Sequence, residues 1–342
     1  NFCINLEEGA EPSIPDGDAE STASLCECGS DAPPGIRDLA AESMFEYGSR
    51  VGTWRVLRAF KSRDAPATLF ACAQTLERHP ELALALQAGV VEGRYDVCCH
   101  GLRWDEHSLM DEQTERSAIA AAYDSLSKTI GVPYGWYCRT APSVHTRRLL
   151  LEHGGFMYDS DAYNDELPYY VDVACEVSSS TRDEQQQRSA AIAPPDRPAP
   201  SAANPAERPR NPLRISWRAR MHALYALIGS VLESVGVRTP PIAPLQLRRQ
   251  LVIPYTLCTN DSKFAPGRAF STSADFYEFC RDAIDALMAE ADEGGARRML
   301  SIGLHPRLIG HPARIADSPT QPRQLRSSRT AIRDLHACVQ AE

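Results

Sequence analysis

A chain of 342 residues, 43% hydrophobic and 24% charged, has the composition of a globular protein long enough for one large α/β domain or two ordinary ones. Its formal net charge of -9 excludes a general nucleic-acid binder, which needs a basic face. No run is apolar for the ~20 residues that a bilayer requires, so neither nucleic acid nor membrane is an expected partner.

The chain opens on Asn1, inside the apolar run NFCINL, so its natural start is expected upstream; the run ends at Glu7-Glu8-Gly9. A helical pattern over 49–64, with Val51, Trp54, Leu57 and Phe60 on one stripe, leads to the run ATLFAC. YDVCC comes next and ends in His100-Gly101. The segment 111–131 starts acidic and ends on glycine, as helices do. YGWYC precedes Arg139-Thr140, a helix is expected over 143–155, and GFMYD precedes Ser160-Asp161. LVIPYTL then runs to Thr259-Asn260-Asp261. A helix over 272–291 carries Phe276, Phe279, Ile284 and Leu287 as its inner stripe, and MLSIGL delivers His305-Pro306.

Seven short runs without alternation fit buried parallel strands, and the helices between them imply α/β units. Seven units with polar residues at the strand ends predict a closed or nearly closed barrel with its site at the C-terminal mouth. A doubly wound sheet is the alternative, but no glycine-rich phosphate loop speaks for it. The expected layout is a first part of the barrel over 1–173, an insert over 174–249, a second part over 250–315 and a divergent or incomplete tail over 316–342. The insert contains AIAPPDRPAPSAANPAERPRNP, too poor in apolar surface to offset its chain entropy, and is expected to be disordered apart from a short amphipathic helix over 221–237. Eleven cysteines, mostly in or beside apolar runs, read as free buried thiols in a reducing, cytoplasmic setting.

The strand ends gather Glu7, Glu8, His100, Arg139, Asp159, Asp161, Asp261 and His305. Such a set suits hydrolysis: a carboxylate takes a proton from water, a histidine gives one to a leaving nitrogen, and an arginine holds an anionic oxygen. In strand geometry Glu7 and Glu8 point to opposite faces, so one of the two is expected to face the centre. Each group also has an ordinary reading. Glu7-Glu8-Gly9 could open a solvated loop, His100 could be a structural histidine, and Asp159 and Asp161 could form turns. Trp104 could simply pack, or wall a pocket. His305 is the strongest single candidate. From the residues alone the reading stops at an α/β hydrolase of unknown substrate.

Taken in order, NFCINLEEGAEPSIPDGDAES, FEYGSRVGTWRVLRAF, HGLRW, GWYCRTAPSVHTRRLLLEHGGFMYDSDAYNDELPYYV, LVIPYTLCTND and MLSIGLHPRLIGHPARI resemble the polysaccharide deacetylase (NodB-homology) superfamily, and within it the metal-independent allantoinase branch. The resemblance implies a deformed (β/α)7-type barrel and a homo-oligomer. It sets Glu7 and Glu8 where the family has two aspartates, one a base and one a metal ligand. His100 and Trp104 stand where it has two histidines four apart, Arg139 where it has its arginine, and His305 where it has its general acid. A catalytic zinc wants about three protein ligands, and Trp104 cannot be one, so no metal and no cofactor is expected. The implied substrate is a small molecule, (S)-allantoin, whose hydantoin ring opens to allantoate. Glu7 or Glu8 would activate water, Arg139 or His100 would steady the oxyanion, and His305 would protonate the ring nitrogen. Trp104, Asp159, Asp161 and Asp261 would bind the substrate. The alternatives are a metal-dependent N-acetyl-sugar deacetylase with a long open groove and a non-catalytic family member.

Overall fold

The computed structural model describes residues 1–27, 32–176, 245–293 and 298–315. One compact unit comprises 1–173 with 248–342, and a second comprises 174–247, of which only 174–176 and 245–247 are described. The expected disorder of the insert, its helix over 221–237 and the tail over 316–342 lie outside the described residues.

The described strands are β1 (Phe2–Leu6), β2 (Ala67–Ala71), β3 (Tyr95–Cys99), β4 (Gly135–Trp136), β5 (Tyr158–Asp159), β6 (Tyr169–Glu176), β7 (Leu245–Val252) and β8 (Ile302–Leu304). Their order in the sheet is β6-β7-β5-β4-β3-β2-β1-β8. The seven expected runs each supply one of the strands β1 to β5, β7 and β8, and every pairing among these that forms a ladder is parallel. Among the described residues β7 and β8 form no ladder; Gly303 of β8 is joined instead by an isolated parallel bridge to Asn260, beyond the end of β7. The result is a barrel deformed by a gap at that seam.

Two details differ from expectation. β6 is not among the expected strands, because it is half-exposed: Tyr170 and Asp172 face out while their neighbours are partly covered. Alternation, rather than a continuous apolar run, is its signature. β7 begins at Leu245, five residues before the expected start of the second part of the barrel at 250.

The pleat sorts the strand residues into two cores. Phe2, Ile4 and Leu6, then Leu69, Val97, Cys99 and Trp136, face the helices and join one large apolar cluster. Cys3, Phe70, Cys98, Tyr137 and Tyr255 face the barrel axis and pack among themselves. Fully burying one Leu, Ile or Phe side chain contributes about 1.5–3 kcal/mol, so the outer cluster is the main source of stability.

The helices covering the outer face are α1 (Leu39–Tyr47), α2 (Thr53–Lys61), α3 (Ala73–Arg78), α4 (Pro80–Val91), α5 (Glu112–Thr129), α6 (Thr146–His153) and α7 (Ser273–Asp292), followed by the short α8 (Pro306–Ile309) and α9 (Pro312–Ile315). Their ends obey capping chemistry. Asp111 accepts from Thr114 N, Thr272 and Asp275 form a capping box, and Gly154 closes α6 at φ 75°. On α7 the buried stripe is Phe276, Cys280 and Ile284, while Phe279 is 40% exposed. Cys280 takes the inward place because it lies four residues beyond Phe276, one helical turn. Among the described residues no helix is long and apolar enough to cross a membrane.

A glycine seam fixes α8. Between α1 and α2 the chain makes a π-helical turn, Gly48–Gly52, a device common at functional sites. A Cβ on Gly52 would lie 2.1 Å from Pro306 O, and one on Gly310 would lie 2.5 Å from Gly52 Cα. Gly52→Ala must therefore push backbone from backbone. It is expected to cost about 1–3 kcal/mol, the usual penalty of overpacking, read as a lower urea midpoint at an unchanged slope.

Candidate active site

Register brings the expected residues to one rim. Leu6 pairs with Ala71, and Ala71 with Cys99, so Glu7 and His100 leave the sheet at one level on either side of β2. Ile4 pairs with Leu304, which sets His305 beside them on the other flank of β1. The centre is deep: Glu7 and Glu8 are each 1% exposed, His100 3%, Trp104 4% and His305 4%.

Glu7 is the hub. Its Oε1 lies 3.2 Å from His100 Nε2 and 3.5 Å from His305 Nε2, and its Oε2 lies 2.7 Å from Arg307 Nη2. Burial opposes its ionisation, but Arg307, then His305 and His100, outweigh burial and hold its carboxyl well below the usual range. Glu8 faces the same guanidinium. Its Oε1 is 3.4 Å from Arg307 Nη1 and accepts from Arg307 N at 3.2 Å, while its Oε2 accepts from Glu7 N. Burial, with Glu7 adding to it, raises the Glu8 carboxyl despite Arg307.

The expectation that Glu7 and Glu8 point apart does not hold. β1 ends at Leu6, and a turn through Gly9 at φ 93° replaces strand geometry, so both acids reach Arg307. Gly48 makes room for this, since a Cβ there would sit 2.6 Å from the Glu8 carboxylate.

The two histidines are held from behind. His100 Nδ1 donates to Tyr137 O at 2.8 Å, and its ring stacks on Tyr137. That bond leaves Nε2 aimed at Glu7. His305 Nδ1 lies 2.6 Å from Asp261 Oδ1, and its backbone N donates to Asp261 Oδ2 at 2.7 Å. Burial alone would lower the His305 imidazolium, but Glu7 and Asp261 reverse that and raise it to about 9. At neutral pH the centre therefore pairs a carboxylate with an imidazolium, a base beside an acid.

The aspartates divide. Asp261, expected on substrate, is wholly buried, and its Oδ2 also accepts from Ile309 N at 3.2 Å. Both its oxygens are committed to orienting His305 and its turn. Asp159, also expected on substrate, instead pairs with Arg147 at 3.2 Å, because α6 lays that arginine across the end of β5. Asp161 sits under β4. Its Oδ1 accepts from Cys138 N at 2.7 Å, and burial raises its carboxyl to about 7 although the Cys138 backbone and side chain both hydrogen-bond to it.

Trp104 forms one wall. Phe45 packs on it, the Arg139 guanidinium lies 4.0 Å from its ring centroid, and Arg139 Nη1 donates to Trp104 O at 2.8 Å. His107, seven residues beyond His100, lies on the loop that follows Trp104 and is buried. Its Nδ1 faces Glu115 Oε1 at 3.4 Å, and Glu115 also accepts from Ser143 and Thr146. That buried knot ties the Trp104 loop to the Arg139 loop.

Arg307 is a member of the centre that the sequence does not announce. The available signal is one arginine inside the otherwise apolar PRLIG, two residues after His305.

These donors do not fit a catalytic divalent ion. Trp104 offers no lone pair, His100 Nε2 and Glu8 are already engaged, and a guanidinium stands between the acids. Among the described residues no set of three or more His, Cys, Asp or Glu side chains is arranged to hold a metal.

Comparison with known proteins agrees with the architecture. Residues 39–152 match the family described as Polysaccharide deacetylase. The fold is similar to a crystal structure of a Pseudomonas aeruginosa PAO1 protein assigned as a polysaccharide deacetylase, with 31% identity and TM-score 0.67 over 100% of this chain and 84% of the other. It is similar to a crystal structure of PuuE allantoinase, with 33% identity and TM-score 0.65 over 100% and 84%. A Schizosaccharomyces pombe protein assigned as a polysaccharide deacetylase is 30% identical over 324 residues, 92% of this chain and 80% of its own. With the barrel, the ordered motifs and a relative matched along nearly its whole length, the chain belongs to the polysaccharide deacetylase family of hydrolases.

Proposed function

We propose that this chain hydrolyses a C–N bond in a small cyclic amide of the hydantoin class, with (S)-allantoin opening to allantoate as the leading case. The observation that carries the reading is enclosure. The acid–base centre lies under Trp104 and Phe45, with Glu7, Glu8, His100, His305 and Arg307 each at most 4% exposed. So deeply buried a centre suits a compact heterocycle; a polysaccharide needs a groove open along its length. The resemblance to PuuE allantoinase supports the same substrate class.

The geometry supports a definite order of proton transfers. Glu7 takes a proton from water as the oxygen bonds to the ring carbonyl carbon. Arg139 is the donor that steadies the oxyanion, and losing such a donor typically costs about 10²–10³ in rate; His100, with its Nδ1–H given to Tyr137 O, positions Glu7 through Nε2. The C–N bond then breaks as His305 Nε2–H protonates the leaving nitrogen. The proton held by Glu7 returns to His305 across the 3.5 Å between Oε1 and Nε2. Asp161, buried against Cys138, is the acceptor for a ring or ureido N–H in this reading. Arg139 stacked on Trp104 gives a flat surface for the ring.

The test is incubation with allantoin and, separately, with an N-acetylglucosamine oligomer. Allantoate released at a rate unaffected by chelator is the expected result. Acetate release from the oligomer without ring opening would instead favour the deacetylase chemistry that the family's name describes.

A further inference from the structure

We propose that Arg307 is a built-in cation that takes the place of a divalent ion between the two site carboxylates, and that Arg307, more than the histidine missing at position 104, keeps metal out of this centre. The inference deepens the proposed function and rests on reading this centre as the hydrolytic site.

Arg307 is wholly buried, yet it belongs to a four-residue turn that is otherwise apolar. Its side chain reaches both acids, at 2.7 Å to Glu7 and 3.4 Å to Glu8, and its backbone N holds Glu8 a second time. Two buried carboxylates a few ångströms apart need a counter-charge. Guanidinium supplies one that no physiological pH removes, in a planar fork that can span two oxygens. The rings of Phe45 and Trp104 lie 4.6 Å and 5.2 Å from its centre, presenting the negative faces that favour a cation.

The glycine seam fixes the distance. Gly48 admits the Glu8 carboxylate, and Gly52 lets α8 approach backbone to backbone. Arg307 is therefore delivered by main-chain packing and is not a surface side chain that has folded inward. A divalent ion placed against Glu8 and His100 would stand beside this fixed charge in a medium of low dielectric, and the two cations would repel. Supplying the second imidazole at position 104 leaves that repulsion untouched.

Zinc titration by calorimetry on four proteins tests this: the unchanged chain, Trp104→His, Arg307→Met, and the double variant. The unchanged chain and Trp104→His are expected to bind no zinc at micromolar concentration. The double variant is expected to bind at least about 10³-fold more tightly than Trp104→His, the factor for two unit charges about 4 Å apart at an effective dielectric of about 20 and a lower bound for a doubly charged ion. Zinc bound by Trp104→His as tightly as by the double variant would overturn the proposal, as would a folded double variant that binds none. If the double variant unfolds without metal, refolding in zinc supports the proposal, and failure to refold in zinc counts against it. No substrate enters the measurement, so a protein that ignores allantoin could still pass, and an allantoinase could still fail.

Discussion

Glu7→Gln is expected to lower kcat for ring opening by about 10²–10⁴-fold, the usual contribution of a positioned general base. The amide matches the carboxylate in size but cannot take the proton from water. It also removes the negative charge that Arg307, His305 and His100 share. Glu8→Gln is expected to lose less, because Glu8 is turned toward Arg307 and the backbone N of Glu7 and Arg307, away from both imidazoles. Steady-state rates of the two variants, with urea midpoints measured beside them, separate catalytic loss from unfolding. Removing one partner of a buried ion pair can cost about 3–5 kcal/mol of stability, so the midpoints are needed. A Glu7→Gln protein that is folded and fully active would remove Glu7 from the role of base.

His305→Gln is expected to cost a similar factor, about 10²–10⁴ in kcat, as the loss of the general acid, and the pH profile identifies the group. The His305 imidazolium is raised to about 9, burial being outweighed by Glu7 and Asp261. The acid form is therefore present below that value, and kcat/KM should fall as pH climbs through about 9. Stability moves in the same direction. A raised folded value means that the bonds to Asp261 and Glu7 stabilise the fold fully below the ordinary histidine value of about 6.5, and that this contribution is lost as pH rises through about 9. Asp261→Asn removes one of the two charges responsible, so its alkaline limb should move down toward the ordinary histidine value. An unmoved limb would show that another group sets it.

Much of this architecture is legible in the sequence because buried parallel strands are apolar on both faces. Runs such as ATLFA and YDVCC need no alternation to be recognised, and register then places the residues just beyond their ends. Glu7, His100 and His305 are legible for that reason: each is the first residue after a strand. The aspartates are not separable in this way. Asp159, Asp161 and Asp261 all lie at the ends of apolar runs, and only packing reveals that one meets Arg147, one meets Cys138 N and one meets His305. Arg307 is hidden for a different reason. Its burial depends on Gly48, which makes room for Glu8, and on Gly52 and Gly310, which lie far apart in the chain and meet only when α8 docks. No local pattern distinguishes an arginine that enters a core from one that leaves it.

The depth of the centre also governs how it can be observed. The proton between His305 Nδ1 and Asp261 Oδ1 sits in a contact of 2.6 Å on side chains with at most 5% of their area exposed. Bulk water meets it only when the surrounding segments part. Nuclear magnetic resonance should therefore find it far downfield and slow to be replaced by deuterium. Its lifetime reports how often the segments packed over the centre part.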